Sequence, residues 1–572
     1  MVSDESFQQR RDAEETWRSQ FERICHRFGV KPEEYRRTTH SGIPLKPVYF
    51  RHDAEQIGLS GSEAPGQYPY TRGLYATQYQ FMPWANQPVI GCGLPEHTRE
   101  RMDYLASQGM VGYFGSRFYN LVYDLVAHEG LDPDHPAARG RVGQCGMAVY
   151  SKRDMATLFE GLDLTQMNVV HITYYQTHPT FAQYLAYAEE GGVPWEKLRG
   201  NTMNWYHQAA YVGMSCFPPR SALKLAVQLI HFCSRRMPQW NTTNFFGYGV
   251  EEAGATAAQE VGLMLAAGAA YTEACMRAGL QPDEFLPRFG FQIAQANDFF
   301  EEICKVRALR KLWATQNRER FGAKDPRSMH VRIHTHTSGA VLTRQQPLNN
   351  LIRATLHTLG AALAGVQAME VCGYDEAIAI PTEEAATLAL RSQQIIQEET
   401  NVAAVSDPLG GSYYVESLTQ LVGAAALEVQ RTVEEAGGYV RAWESGLVRS
   451  MVEQSAYEWR EAVNRGERVV VGVNKYVTEK EPPVPVFSVN PEVERIAVER
   501  VQHLRTERDQ PRWKAAMEAV HREARAFSAK EIEDLDGDYG LIEALVEAAR
   551  ADATVGELMG VLKEHLGWGS AY

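Results

Sequence analysis

The run MHVRIHTHT at Met329–Thr337 carries the pattern that decides the fold. Read as an extended strand, it puts Arg332, His334 and His336 on one face and Thr335 and Thr337 on the other. Comparable polar runs stand at Asn168–Tyr175 (NVVHITYY), Gly200–Trp205 (GNTMNW) and Trp240–Gly249 (WNTTNFFGYG). Each is β-prone, and each is separated from the next by a helical stretch too long for a hairpin loop, the signature of βα units with parallel strands. The full set predicted is Tyr119–Val126, Asn168–Tyr175, Leu198–Trp205, Asn241–Gly249, Arg288–Ile293, Met329–Thr337, Gly365–Gly373 and Val402–Ser406. Apolar periodicity places the clearest helices at Glu251–Gly279, Ala294–Phe321, Asn349–Ala364 and Thr382–Thr400. Such units predict an α/β chain folded as a (β/α)₈ TIM barrel. Barrel strands ordinarily fill the interior with Val, Ile and Leu, and their outward faces lie under helices, so strands this polar predict an open interior.

The rest of the chain is arranged around that barrel. Residues 1–68 read as an arm, with an amphipathic helix from about Glu5 to Phe28 and then extended sequence; residues 69–415 read as the barrel, holding the candidate site; residues 416–572 read as a helical C-terminal region. With 572 residues, 44 % hydrophobic and 22 % charged, the composition is that of a globular enzyme. A net charge of −14, from 57 basic and 71 acidic side chains, disfavours nucleic acid as a partner. The charged N-terminal sequence has no apolar leader and no run of apolar residues spans a membrane, so the expectation is a cytoplasmic protein with no membrane partner. The eight cysteines show no C-x-x-C spacing, which suits reduced thiols better than disulfides or a metal centre.

Ordered motifs carry a resemblance. PYTRGLYATQYQFMPW (Pro69–Trp84), GYGVEEAGATAAQE (Gly247–Glu260), DEFLPRFGF (Asp283–Phe291), RALRKLWA (Arg307–Ala314), YDEAIAIPT (Tyr374–Thr382), DPLGGSYYVE (Asp407–Glu416) and VGVNKY (Val471–Tyr476) follow one another as in the adenosylcobalamin-dependent acyl-CoA mutases. The chain resembles the large, substrate-binding subunit of that family, which includes methylmalonyl-CoA, isobutyryl-CoA and 2-hydroxyisobutyryl-CoA mutases. The resemblance implies a barrel threaded by the pantetheine arm of CoA and capped at its C-terminal face by a cobalamin. It also implies radical chemistry supplied by the cofactor, with the protein orienting and shielding the reacting groups. The D-x-H-x-x-G signature of the flavodoxin-like cobalamin-binding domain is not found here, since DPDHP at Asp132–Pro136 has the wrong spacing. The expectation is therefore a separate small subunit that carries the corrin, in a heterotetramer of two large and two small chains.

Matched residue by residue, Tyr75 and Thr77 resemble the family's tyrosine and threonine that lead the substrate in, with Gln78 and Phe81 beside them. Tyr248 and Glu252 resemble the strand-borne tyrosine and the adenosyl-contacting glutamate, and Glu376 the latter's ribose-binding partner. Arg288 matches an arginine near CoA, and His334 the histidine of H-x-Q-T. Ile90 and Asn120 complete the expected substrate-facing set.

Other positions depart from the family. F-R-P-W reads Phe81-Met82-Pro83-Trp84 and R-Q-Y reads Gln87-Pro88-Val89, which removes a CoA-facing arginine and the tyrosine beside the reacting centre. The arginine that clamps the methylmalonyl carboxylate aligns with Val212 or Gly213. The histidine of G-Y-H is Gly249, the glutamine of H-x-Q-T is His336, and H-T-N is Glu370-Val371-Cys372. These changes predict that His336 fills the space left at Gly249 and pairs with Glu370 to hold a hydroxyl, amino or ring substituent. They predict an acyl-CoA substrate other than methylmalonyl-CoA, because a buried carboxylate without its guanidinium is costly. A purely structural His336–Glu370 pair, a radical mutase on a non-CoA substrate and a degenerate barrel that only binds stand as alternatives. Cys372 reads as a small buried apolar contact.

Overall fold

The computed structural model describes residues 4–34, 37–56, 63–112, 116–206, 215–479 and 484–569. Its centre is a cylinder of parallel strands. These are β1 (Ala85–Asn86 and Val89–Ile90), β2 (Arg117–Val122), β3 (Met167–Ile172), β4 (Arg199–Thr202), β5 (Trp240–Asn241 and Thr243–Phe246), β6 (Phe289–Gln295), β7 (Ile333–Thr337) and β8 (Ala368–Glu370). The second part of β1 pairs with β2, and pairing continues through β3 and β4 to the first part of β5. The second part of β5 pairs with β6, then β7 and β8, and β8 returns to the first part of β1. β1 and β5 thus each join the two halves of a (β/α)₈ barrel.

The strand count of eight is as expected, but one member differs. β1 was not among the predicted strands, and Val402–Ser406 is not a strand but holds a 3₁₀ turn at Val402–Ala404. The reason lies at Gln87-Pro88. Proline has no N–H to give a ladder, so β1 is broken there, and its two halves serve opposite neighbours, joined by the Gln87 N–H donating to Met369 O at 2.8 Å. β5 stops at Phe246, so Tyr248 and Gly249 sit on a short helix, Gly247–Glu252, rather than on the strand. A turn capped by Thr256, with Gln259 completing the capping box, separates this helix from Ala257–Arg277. β6 runs to Gln295, and its helix begins only at Phe299. The helix Asn349–Ala364 has the expected bounds and is closed by Gly365 at φ 80°.

Alternation along the strands sorts the side chains. Tyr119, Leu121, Val169, Phe291, Ile293, Ile333 and Met369 face outward and are buried under the helices. Asn120, Asn168, Asn201, Asn244, Gln292 and His334 line a cavity of about 1200 Å³ inside the cylinder, which is the predicted open interior. His171 of NVVHITYY is an exception among the polar residues. It pairs in register with Leu121 on the outer face, where its Nδ1 meets Tyr123 Oη at 2.8 Å.

Two motifs explain themselves in the helix Phe299–Thr315. Arg307 reaches Asp407 at 2.5 Å and Glu416 at 2.7 Å, tying this helix to the start of Tyr413–Glu435. Arg310 donates to the carbonyls of Tyr70, Thr71 and Ala364 at 3.0, 3.1 and 2.8 Å, anchoring the Pro69–Trp84 segment under the barrel. The C-terminal region is helical, at Tyr413–Glu435, Tyr439–Glu444, Leu447–Asn464, Glu492–Glu507, Gln510–Ala529, Gly540–Arg550 and Val555–Leu566. No helix of the described residues is long and apolar enough to cross a membrane. Arg307→Ala leaves buried Glu416 without its cation and Asp407 with Arg72 alone, at 2.7 Å, and a loss of about 3 kcal/mol or more in chemical denaturation is expected; an unchanged midpoint would contradict this.

Candidate active site

The lumen has two levels. At the N-terminal end of the strands, Arg117 and Arg199 open β2 and β4, while Arg288 and Arg332 immediately precede β6 and β7; all four line the wide cavity. Arg288 is held below the ordinary guanidinium range by burial and by the like charges of Arg332 and Arg327. Such a ring of cations is unfavourable until an anion joins it. Of the four, only Arg288 was singled out as a binding residue; the shared signal of the others is an arginine at the first strand position or just before it.

Tyr75, Thr77, Gln78, Phe81, Met82 and Gln87 line the same cavity, together with Asn120. Phe81 is 85 % exposed, so it stands at the rim. Gln78 is buried at φ 43°, in a space that depends on Gly73, where a Cβ would lie 1.6 Å from Gln78 Nε2. His334 points to Gln87 O at 3.3 Å, and burial pushes its pKa down to about 3. Val212 and Gly213 lie outside the described residues.

One layer higher, Ala294, His336 and Glu370 are level across β6, β7 and β8. His336 Nε2 lies 3.4 Å from Glu370 Oε2, as the sequence predicts. The distance is that of an ion pair, but the electrostatics argue for a neutral one. Burial lowers the His336 pKa to about 4 and pushes Glu370 well above the carboxylate range, the Val89 backbone amide only partly opposing this. The tautomer is set by Thr337, whose carbonyl can only accept, so His336 Nδ1 donates to it at 2.8 Å and Nε2 is left as an acceptor. A carboxylate facing that lone pair would be repelled; a protonated Glu370 would not. The proton of the pair therefore resides on Glu370. Cys372 donates its Sγ–H to Thr337 O at 3.0 Å and is buried, consistent with an unreactive thiol.

The Tyr248 ring lies 4.2 Å from that of His336, centroid to centroid. The space at Gly249 is not filled by His336, as was expected, but by the ring of Phe246, 2.6 Å from where a Cβ would stand. Phe246 carried no family motif and was missed. Val89 and Ile90 do not line the large cavity; they border a second one of about 70 Å³ that reaches Glu370 from outside the cylinder, beside Arg101 and Leu105.

Two further carboxyls complete this end. Glu252 accepts from Ser338 Oγ at 2.7 Å and from the Ala340 N–H at 3.0 Å. Its pKa is raised by burial, and that of Glu376 is raised to about 7 by burial and by the charge of Glu252. Between them sits Gly339, whose added Cβ would lie 3.3 Å from Glu252, 3.6 Å from Glu376 and 3.7 Å from Tyr248 Oη.

A family model described as methylmalonyl-CoA mutase matches residues 38–568, nearly all of this architecture. The chain belongs to the methylmalonyl-CoA mutase family. It is similar to the methylmalonyl-CoA mutase of Rhizobium meliloti, at 36 % identity over 94 % of this chain and 73 % of that protein. It is also similar to that of Cereibacter sphaeroides, at 36 % over 94 % and 74 %, and to the probable mitochondrial enzyme of Caenorhabditis elegans, at 35 % over 92 % and 69 %. Membership makes this chain an intramolecular isomerase, a mutase, and the family implies a cobalamin-type cofactor. The C-terminal end of the barrel fits such a group: Glu252 and Glu376 flank Gly339 with carboxyl oxygens that can accept hydrogen bonds from a polar ligand, and Glu370 Oε2 is buried with no hydrogen-bond partner.

A protonated Glu370 has a spectroscopic consequence. At pH 7 the carboxylic-acid C=O band of the protein should lose one component in Glu370→Gln, read by difference infrared spectroscopy. A difference spectrum showing loss of a carboxylate band instead would overturn the assignment.

Proposed function

We propose that this mutase is the substrate-binding subunit of an adenosylcobalamin-dependent enzyme that rearranges the carbon skeleton of an acyl-CoA other than methylmalonyl-CoA. The observation that carries the reading is the charge of the reaction chamber. Among the described residues, the charges acting on Glu370 and Glu376 are all acidic, and His336 is neutral. A substrate carboxylate placed there would meet carboxyls and no guanidinium, and an unpaired buried charge costs several kcal/mol, of the order of ~3–5. An uncharged acyl group with a hydroxyl or a branch would meet a donor on Glu370, the Tyr248 ring and the His336 edge.

The arginine mouth supports CoA as the carrier in spite of Met82 and Gln87. Arg117, Arg199, Arg288 and Arg332 stand where the phosphate-bearing end would remain once the pantetheine arm has entered the lumen between Asn120, Asn244 and Gln292. Tyr75, Thr77 and Gln78 would flank the arm, and Phe81 the rim. Such a cofactor would supply radical hydrogen-transfer chemistry when bound. The chain's own residues hold its adenosyl group through Glu252 and Glu376, position the acyl group at His336, Glu370, Tyr248 and Cys372, and exclude water from that buried layer. A second polypeptide with the D-x-H-x-x-G signature would bring the corrin, two copies of each forming a heterotetramer, with residues 1–68, 69–415 and 416–572 acting as arm, barrel and helical region.

Anaerobic, light-protected turnover with the cognate cobalamin subunit tests the reading on isobutyryl-CoA, 2-hydroxyisobutyryl-CoA, aromatic acyl-CoAs and methylmalonyl-CoA. Rearrangement of an uncharged acyl-CoA and none of methylmalonyl-CoA is expected. Turnover only of free acids would favour a non-CoA mutase, and CoA-ester binding without turnover a binding subunit. His336→Gln should lower kcat about 10²-fold or more, the scale of a lost positioned polar contact; a wild-type rate would leave the His336–Glu370 pair a structural role only.

A further inference from the structure

Gly249 has no room for a side chain. An added Cβ falls 2.6 Å from Phe246 Cε1 and 2.7 Å from Phe246 Cδ1, well inside carbon–carbon packing distance. The cause is not backbone conformation, since Gly249 lies within the helix Gly247–Glu252 and is not among the glycines with positive φ. The requirement is steric, and the ring of Phe246 imposes it.

That ring is itself confined. It meets Tyr248 at 5.4 Å, inclined 64°, and Tyr174 at 6.2 Å, inclined 84°. Tyr174 packs edge-on to His128 at 4.4 Å and has a φ of 43°, a conformation a residue with a side chain keeps only when its surroundings enforce it. His128 is fully buried and neutral, burial lowering its pKa to about 4. A continuous aromatic train thus runs from His128 through Tyr174, Phe246 and Tyr248 to His336. Its last contact is 4.2 Å between the Tyr248 and His336 rings, in the layer where the preceding reading puts the acyl group.

We propose that Phe246 and Gly249 form a matched specificity pair. The phenyl ring occupies the position a side chain at 249 would take, and it presses Tyr248 against His336. The acyl group then meets an aromatic wall where a polar side chain at 249 would otherwise stand, which selects branched or hydroxylated acyl groups of low charge. Phe246 is a positioning residue: it acts on substrate through Tyr248. The inference rests on the preceding reading that an acyl-CoA occupies the lumen.

The test uses the full chain as wild type, Phe246→Ala, Phe246→Leu, Gly249→Ala and the double variant Phe246→Ala/Gly249→Ala. Thermal unfolding is measured for each, together with calorimetric affinity for isobutyryl-CoA and for CoA itself without cofactor. Gly249→Ala should lower the unfolding temperature by several degrees, and the double variant should recover much of that loss, because the clash disappears with the ring. Phe246→Ala should weaken isobutyryl-CoA about tenfold or more while leaving CoA unchanged, with Phe246→Leu between it and wild type. Additive unfolding temperatures, or equal losses for isobutyryl-CoA and CoA, would overturn the pair. If wild type binds neither thioester nor CoA, the CoA reading fails, and the unfolding cycle still decides whether Phe246 and Gly249 are coupled.

Discussion

A cylinder that is not filled by its own side chains has to be held together from outside. In an ordinary barrel, layers of aliphatic residues inside the strands supply much of the burial. Here Asn120, Asn168, Asn201, Asn244, Gly290 and Gln292 leave a lumen of about 1200 Å³. The compensating burial lies on the outer face, where Tyr119, Leu121, Val169, Phe291, Ile293 and Ile333 pack beneath helices. Buried charge reinforces it. Lys305 lies 2.6 Å from Glu260 and 2.5 Å from Glu302 and donates to Ala294 O at 3.0 Å, while Glu260 accepts the Ala294 N–H at 3.0 Å. This network grips β6 from behind at the level of His336, with Ala294 and His336 in register.

The polarity of the two ends follows from that hollowness. At the N-terminal mouth, four arginines face a wide cavity open to solvent, so their charge is retained and an anion is attracted. At the C-terminal end, burial leaves little water to support charge. Glu370 is pushed above the carboxylate range, and Glu376 rises to about 7, while His336 falls to about 4. A ligand with an anionic tail and an uncharged head matches the gradient, tail at the mouth and head at the neutral layer. Departures from the family pattern at 249, 336 and 370 all lie in that neutral layer, and none of them introduces a cation.

Much of this was legible in the residues. The period-two alternation of Met329–Thr337 placed Arg332, His334 and His336 on the lumen face, and the ordered motifs located Glu252, Glu376 and Tyr248. The pairing of His336 with Glu370 could be anticipated because two departures fell at the ends of neighbouring strands. Strand β1 was hidden because Pro88 breaks it, so FMPWANQPVIG shows no alternation. Val402–Ser406 looked like a strand because a short apolar run has no period by which to separate strand from turn. The role of Phe246 was invisible, since a phenylalanine at the end of a β-strand reads as core until the short helix after it turns Gly249 back against the ring.

The sequence by itself determined the parallel α/β plan and the polar lining, because these depend on residue type and on spacing along one chain. Only the tertiary structure decided which neighbour occupies a vacated position, where the proton of a buried pair resides, and which arginines gather at one mouth. Those outcomes depend on distances between segments a hundred or more residues apart and on how much water reaches them, and neither quantity is written in local order.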